Sequence, residues 1–145
     1  MDIKIYEEGV RDPAFYAAIG PFALNRNVTK ELHDFQYGGL YDEDYATWFL
    51  AYEGKMLLGF CSIFIKEKEL FFDNCYVLKA HRGNGIGKAL FARRMEYARD
   101  IQQGRRLRGI TKDEIQYHLY CAHGFKLASK RGKYYWLTKE AEKHG

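Results

Sequence analysis

The chain's 145 residues, 47% apolar and 29% charged, have an ordinary globular composition, outside the disordered, collagen-like and coiled-coil ranges. That length suits one domain over residues 1–145, and no stretch approaches the roughly 20 apolar residues of a membrane span. The net charge of +4 is uneven: residues 1–55 hold ten acidic and five basic side chains, and residues 56–145 hold nine acidic and eighteen basic. An anionic ligand is therefore expected on the C-terminal part.

The start, Met1-Asp2-Ile3-Lys4-Ile5, alternates polar and apolar residues and lacks the apolar run of a signal peptide. A soluble, cytoplasmic protein with no membrane partner is the expectation. Three cysteines, Cys61, Cys75 and Cys121, are an odd number with no CxxC pair, so neither a disulfide framework nor a metal site is expected.

In chain order, Asp2–Glu7 reads as a first strand. Asp12-Pro13 opens a helix, Asp as the cap and Pro at the first helical position, which should stop near Gly20-Pro21. A second helix is expected from Thr29 to Phe35 with Thr29 as its cap, then a break at Gly38-Gly39 and an acidic, aromatic loop over Tyr41–Tyr45. Thr47–Tyr52 and Met56–Lys66 flank the turn Glu53-Gly54-Lys55 as a hairpin, and Glu69–Leu78 follows as a third strand. On that strand Glu69, Phe71, Asp73, Cys75 and Val77 share one face, unless a bulge intervenes.

The period then switches. Ile86, Ala89, Leu90, Tyr97 and Ile101 form the apolar stripe of a helix over Ile86–Gln102, with Arg93 as a snorkelling interruption. Arg105–Ile110 reads as a strand. Thr111 and Glu114 make a capping box for a helix that ends at Gly124. Phe125–Ser129 and Lys133–Thr138 form a terminal hairpin, and Glu140–Gly145 is a polar tail. Two helical crossovers in an otherwise hairpin-connected set imply a mixed α/β fold with helices on the faces of the sheet.

Arg82-Gly83-Asn84-Gly85-Ile86-Gly87 lies between strand and helix. Glycines there let the backbone approach a ligand, and the freed amides with the helix N-terminus make an anion site, to which Arg82 and Lys88 add charge. The pattern lacks the Gly-Lys-Ser/Thr of a P-loop, and Lys88 and Leu90 stand where a dinucleotide fingerprint would need glycine. Arg82, Gly85 and Gly87 match Arg/Gln-x-x-Gly-x-Gly/Ala, and Val77 to Gly83 match the preceding Val-x-Pro-x-x-Arg-Gly with Lys79 in place of proline. Tyr120-Cys121-Ala122-His123-Gly124-Phe125 matches a second signature, Tyr-x-x-x-Gly-Phe, 33 residues beyond Gly87. Together these segments resemble the GNAT superfamily of acetyl-CoA-dependent N-acetyltransferases, and the resemblance runs over essentially the whole chain.

The resemblance implies a central, mostly antiparallel sheet of about seven strands flanked by about four helices, and an acyltransferase that uses acetyl-CoA without a metal. It implies that the amides of Arg82, Gly83, Asn84, Gly85, Ile86, Gly87 and Lys88 hold the pyrophosphate, and that pantetheine runs along the strand through Val77, Leu78 and Lys79. A splayed gap beside that strand, opened by a bulge, would follow, with an N–H near Val77 for the thioester oxygen. Tyr120 matches the family's general acid. Asp73 is the candidate base for an amine whose pKa is about 10.4 if it is a lysine, with Glu69 the alternative. Asp113 stands where many members have an asparagine that contacts pantetheine. Cys75 as an acyl-enzyme nucleophile has no legible base, His81 and His123 being its candidates.

The acceptor is left open: a small-molecule amine or a protein, for which Asp42-Glu43-Asp44 would suit a cationic amine. Arg93, Arg94, Arg99, Arg105, Arg106 and Arg108 raise aminoacyl-tRNA as an alternative acceptor. A non-catalytic acyl-CoA-binding module and a homodimer are the other open alternatives.

Overall fold

A computed structural model describes residues 1–34, 40 and 42–141. The elements are β1 (Asp2–Tyr6), α1 (Pro13–Ala23), α2 (Arg26–His33), β2 (Ala46–Glu53), β3 (Met56–Ile65), β4 (Glu69–Val77), α3 (Ile86–Ile101), β5 (Arg106–Thr111), α4 (Glu114–Ala122), β6 (Lys126–Arg131) and β7 (Tyr134–Lys139). The seven strands form one sheet in the order β1-β2-β3-β4-β5-β7-β6. Every neighbouring pair is antiparallel except β4 and β5, which the α3 crossover makes parallel. This is the mixed α/β architecture expected. The Gly38-Gly39 break, Phe35, Tyr41 and residues 142–145 of the tail lie outside the described residues. Among the described residues no helix is long and apolar enough to cross a membrane.

Two cores sandwich the sheet. On one face Phe49, Leu58, Ile63, Leu70 and Phe72 pack with Leu90, Phe91 and Met95 of α3 and Tyr120 of α4. On the other, Trp48, Leu50, Phe60 and Tyr76 pack with Phe15 and Ile19 of α1 and Val28 of α2. β2 is buried on both faces, so its apolar run hardly alternates.

Helix ends depart from the sequence expectations in instructive ways. Asp12 caps α1 as expected, accepting from Phe15 N at 2.8 Å, but the helix runs through Pro21 to Ala23. A proline in the last turn forfeits a single backbone bond, and Phe22 anchors that turn against Phe60 and Tyr76. Asn25 rather than Thr29 caps α2, accepting from Asn27 N and Val28 N at 3.0 and 3.2 Å, which places Val28 and Thr29 inside the core. In α4 the cap is Asp113, which accepts from Ile115 N at 2.8 Å. Thr111 belongs to the end of β5, so the expected capping box does not form and Glu114 instead accepts from the Tyr135 hydroxyl.

The bulge matters most. Phe60 pairs with Tyr76 and Ser62 with Asp73, so Asn74 and Cys75 together oppose Cys61, and Asn74 has a φ of +52°. An extra residue inverts the pleat. Leu70 and Phe72 face α3, as do Cys75 and Val77, whereas Tyr76 faces α1. Asp73, Phe71 and Glu69 therefore look to the α2 side. The expectation that Asp73 shares a face with Val77 is corrected by this bulge.

Candidate active site

The β4–β5 ladder runs from Glu69–Arg106 to Phe72–Gly109 and ends there. Beyond it the strands diverge, the bulge bending β4 away. The split opens a cleft of about 670 Å³ lined by Asp73 to Val77, the glycine-rich turn, Ile110 to Asp113 and Gln116, Leu119 and Tyr120 of α4. Backbone polar groups on a diverging strand lack sheet partners and remain available to an extended ligand.

One end of the cleft is the start of α3. Gly83 and Gly85 have φ of +83° and +79°, and an added Cβ on either would meet open space. Gly85 is the cap position and offers no side chain, so the first amides of α3 are unobstructed and could hold an anion. Of the residues expected around a phosphorylated ligand, Val77, Arg82, Gly83, Gly85, Ile86, Gly87 and Lys88 line the cleft. Leu78, Lys79 and Asn84 do not: Leu78 packs in the α1-side core, Lys79 lies in a 3-10 turn, and the Asn84 amide donates to His81 O at 3.2 Å. Arg82 is engaged on both sides. Its Nε donates to Val77 O at 2.8 Å and its Nη2 lies 2.7 Å from the Glu31 carboxylate of α2.

The floor is aromatic. Tyr120 is 2% exposed, with its ring edge-on to Phe91 and Phe125 at 4.8 and 4.9 Å between centroids. A Cβ at Gly109 would lie 2.4 Å from the Tyr120 ring and 2.6 Å from its hydroxyl, so the ring lies directly on the β5 backbone. Burial pushes the Tyr120 hydroxyl far above its usual titration range, and it carries its proton at neutral pH.

Asp73 is half-buried and lines the cleft, as do Glu31 and Leu32 of α2. Burial pushes its carboxyl up, opposed by the Asn74 N–H, which donates to Asp73 Oδ1 at 2.8 Å, and by the charges of His33, Arg94 and Lys66. Glu69 contacts Arg106 and Arg108, each at 3.4 Å. It does not line the cleft.

Beneath the bulge lies Arg94, fully buried on α3. Its Nη1 donates to Ser62 O and Asp73 O, both at 3.1 Å, and its guanidinium lies over the rings of Phe72 and Phe91. The charge expected to interrupt the apolar stripe of α3 was Arg93. That residue instead reaches Glu96, and its neighbour enters the core. Gln116 was missed as well; its Nε2 donates to Cys75 Sγ at 3.4 Å. Spacing identifies neither, because both act through the bulge, which no residue pattern announces.

Several of the other acidic and basic candidates are occupied. Asp42 binds Arg11 and accepts from Trp48 Nε1, and Asp113 is spent as a cap. Of the basic cluster, Arg94 is buried, Arg106 and Arg108 share Glu69, and Arg105 donates to Lys66 O and Ile101 O.

Comparison with known proteins agrees with this geometry. No curated protein sequence matches the chain. In fold it is similar to Escherichia coli ElaA, with a TM-score of 0.75, 12% identity and coverage of 97% of this chain and 100% of that one. A GNAT-family acetyltransferase of Streptococcus pneumoniae gives a TM-score of 0.71 at 19% identity, covering 97% and 100%. YncA of Salmonella typhimurium, a putative acetyltransferase solved with acetyl-CoA, gives 0.70 at 17% identity, covering 100% and 97%. Residues 13–125 match the family model described as acetyltransferase (GNAT) family. Because that match takes in the bulged strand, the glycine-rich turn and the Tyr120 helix together, the chain belongs to the GNAT family and is an acetyltransferase.

Proposed function

We propose that the protein transfers an acetyl group from acetyl-CoA to an amine by direct attack within a ternary complex. The observation that carries this reading is the split between β4 and β5, which ends at an unobstructed helix N-terminus. The amides of Gly83, Gly85, Ile86, Gly87 and Lys88 bind the pyrophosphate, where helix polarity and convergent N–H groups favour an anion. The diverging edge of β4 from Cys75 to Val77 pairs with the pantetheine arm as an added strand, and an N–H near Val77 donates to the thioester oxygen as negative charge develops.

The amine enters from the α2 side, past Leu32 and Glu31. Asp73 takes its proton, directly or through one water, its carboxyl tuned upward by burial. Tyr120, held protonated by its apolar surroundings, donates to the departing sulfur. A phenol is a poor acid toward a thiolate, so its hydrogen bond stabilises that charge more than complete transfer does. The acceptor is a small molecule or a protein amine. The engagement of most of the arginine cluster in local contacts gives the aminoacyl-tRNA alternative little free charge.

Calorimetric titration with acetyl-CoA tests the reading. Micromolar binding is expected, weakened by at least about tenfold when sodium chloride is raised from low to molar concentration, because the diphosphate is bound by charge and amides. Absence of binding at millimolar acetyl-CoA overturns it.

A further inference from the structure

Two thiols meet at the bulge. Cys61 is buried and Cys75 lines the cleft, and the two face one another across β3 and β4 on the α3 side of the sheet. On its other side Cys75 Sγ accepts from Gln116 Nε2. The charge of Arg94 bears on both sulfurs. Arg94 is wholly buried, and among the described residues its Nε and Nη2 have no hydrogen-bond partner, nor does Gln116 Oε1. The Arg94 Nη1 is held by two carbonyls, but buried donors without acceptors are costly, and this cation favours negative charge on the Cys75 sulfur at the cleft wall. Cys75 is lowered from the usual thiol range chiefly by its neighbour Cys61, with Arg94 and Gln116 acting the same way against burial, whereas burial pushes Cys61 well above it. Cys75 lines the cleft and Cys61 does not, so Cys75 is the sulfur that a thioester in the cleft can reach.

We propose that Cys75 is a self-acylation site, its sulfur taking the acetyl group from the thioester in the cleft when no amine is bound. This rests on the reading that acetyl-CoA occupies the split between β4 and β5. The Cys75 sulfur attacks the thioester carbonyl carbon, the carbon–sulfur bond to CoA breaks, and the proton of Cys75 ends on the CoA sulfur. The products are S-acetyl-Cys75 and CoA, with no oxidant, reductant or water consumed. One thioester replaces another, so the exchange is near even and runs backward when CoA accumulates. The acetylated side chain fills the cleft wall and competes with a fresh acyl group. The modified fraction thus follows the ratio of acetyl-CoA to CoA.

The test uses the full chain with acetyl-CoA and no amine, following binding by calorimetry and modification by intact mass and peptide mapping. Expected is one acetyl group per chain, on Cys75, released by neutral hydroxylamine and prevented by desulfo-CoA. A CoA excess of about tenfold should reverse it. Cys121→Ala should be modified like the native chain. Cys75→Ala, which keeps the backbone groups of β4, should remain unmodified. If acetyl-CoA binds and Cys75 stays free, the self-acylation proposal fails while the cofactor reading stands. Modification of exposed Cys121 at the same rate as Cys75, unaffected by desulfo-CoA, also overturns it, as solution chemistry. Absence of calorimetric binding overturns the cofactor reading and this proposal together.

Discussion

At Gly109 a hydrogen is the only side chain that fits, because the Tyr120 ring lies against the β5 backbone. Gly109→Ala should therefore displace the ring. A cost of about 1–3 kcal/mol, typical of overpacking, is expected as a lowered melting temperature, with acetyl transfer lost at temperatures where the variant remains folded. Unchanged melting and turnover would mean that β5 yields to the added methyl. Asp73 raises a different question at the same scale. Burial holds its carboxyl above the ordinary value of 3.8, and a base works only when ionised. The acidic limb of kcat/KM should therefore rise with pH through a value above 3.8 and level off, and Asp73→Asn should abolish that limb. A limb that survives in the variant would assign the titration to another group.

Among the elements, the strands and their order along the chain were legible because runs of strand-forming residues lie between hard stops such as Glu53-Gly54-Lys55. The glycine-rich turn and the Tyr120 segment were legible because each needs particular residues at fixed spacing. The starts of α2 and α4 were not. Asn25 and Thr29 are both competent caps, and the choice between them is made by burial of Val28, a tertiary contact. Thr111 and Asp113 compete in the same way, and pairing of Thr111 with Tyr135 in the sheet decides for Asp113. The bulge was legible as a proviso and from the family resemblance, but its place was not: no residue of Asp73-Asn74-Cys75 marks it, yet Asn74 accepts a left-handed backbone, and its side-chain amide donates to Ser62 Oγ at 3.1 Å. Arg94 escaped because an arginine in a helical stripe normally lifts its head to water. Here the carbonyls of the bulge receive it instead.

Over the whole molecule, Asp34 joins parts of the chain remote in sequence. It ends α2 with a φ of +53°, and its carboxylate accepts from Tyr134 on β7, Lys112 after β5 and Lys133 in the β6–β7 turn. These donors hold its carboxyl well below the usual range. Stability from such a group is present above 3.8, the ordinary aspartate value, and is lost as pH falls toward the lowered one. Asp34→Ala should lower the melting temperature at neutral pH and speed amide exchange in α2 and the β6–β7 hairpin together, while α3 keeps its protection. Faster exchange in the hairpin alone would show that α2 is held by other contacts. The β4 bulge has a broader consequence. By inverting the pleat at Asn74, it gives one strand two independent vocabularies: Glu69, Phe71 and Asp73 address the side from which an acceptor would come, and Cys75 and Val77 address α3 and the cleft. Substitutions at Glu69 and Phe71 would alter the first half and leave the second in place. A lineage built on this strand can change what it acetylates while keeping the donor it draws from.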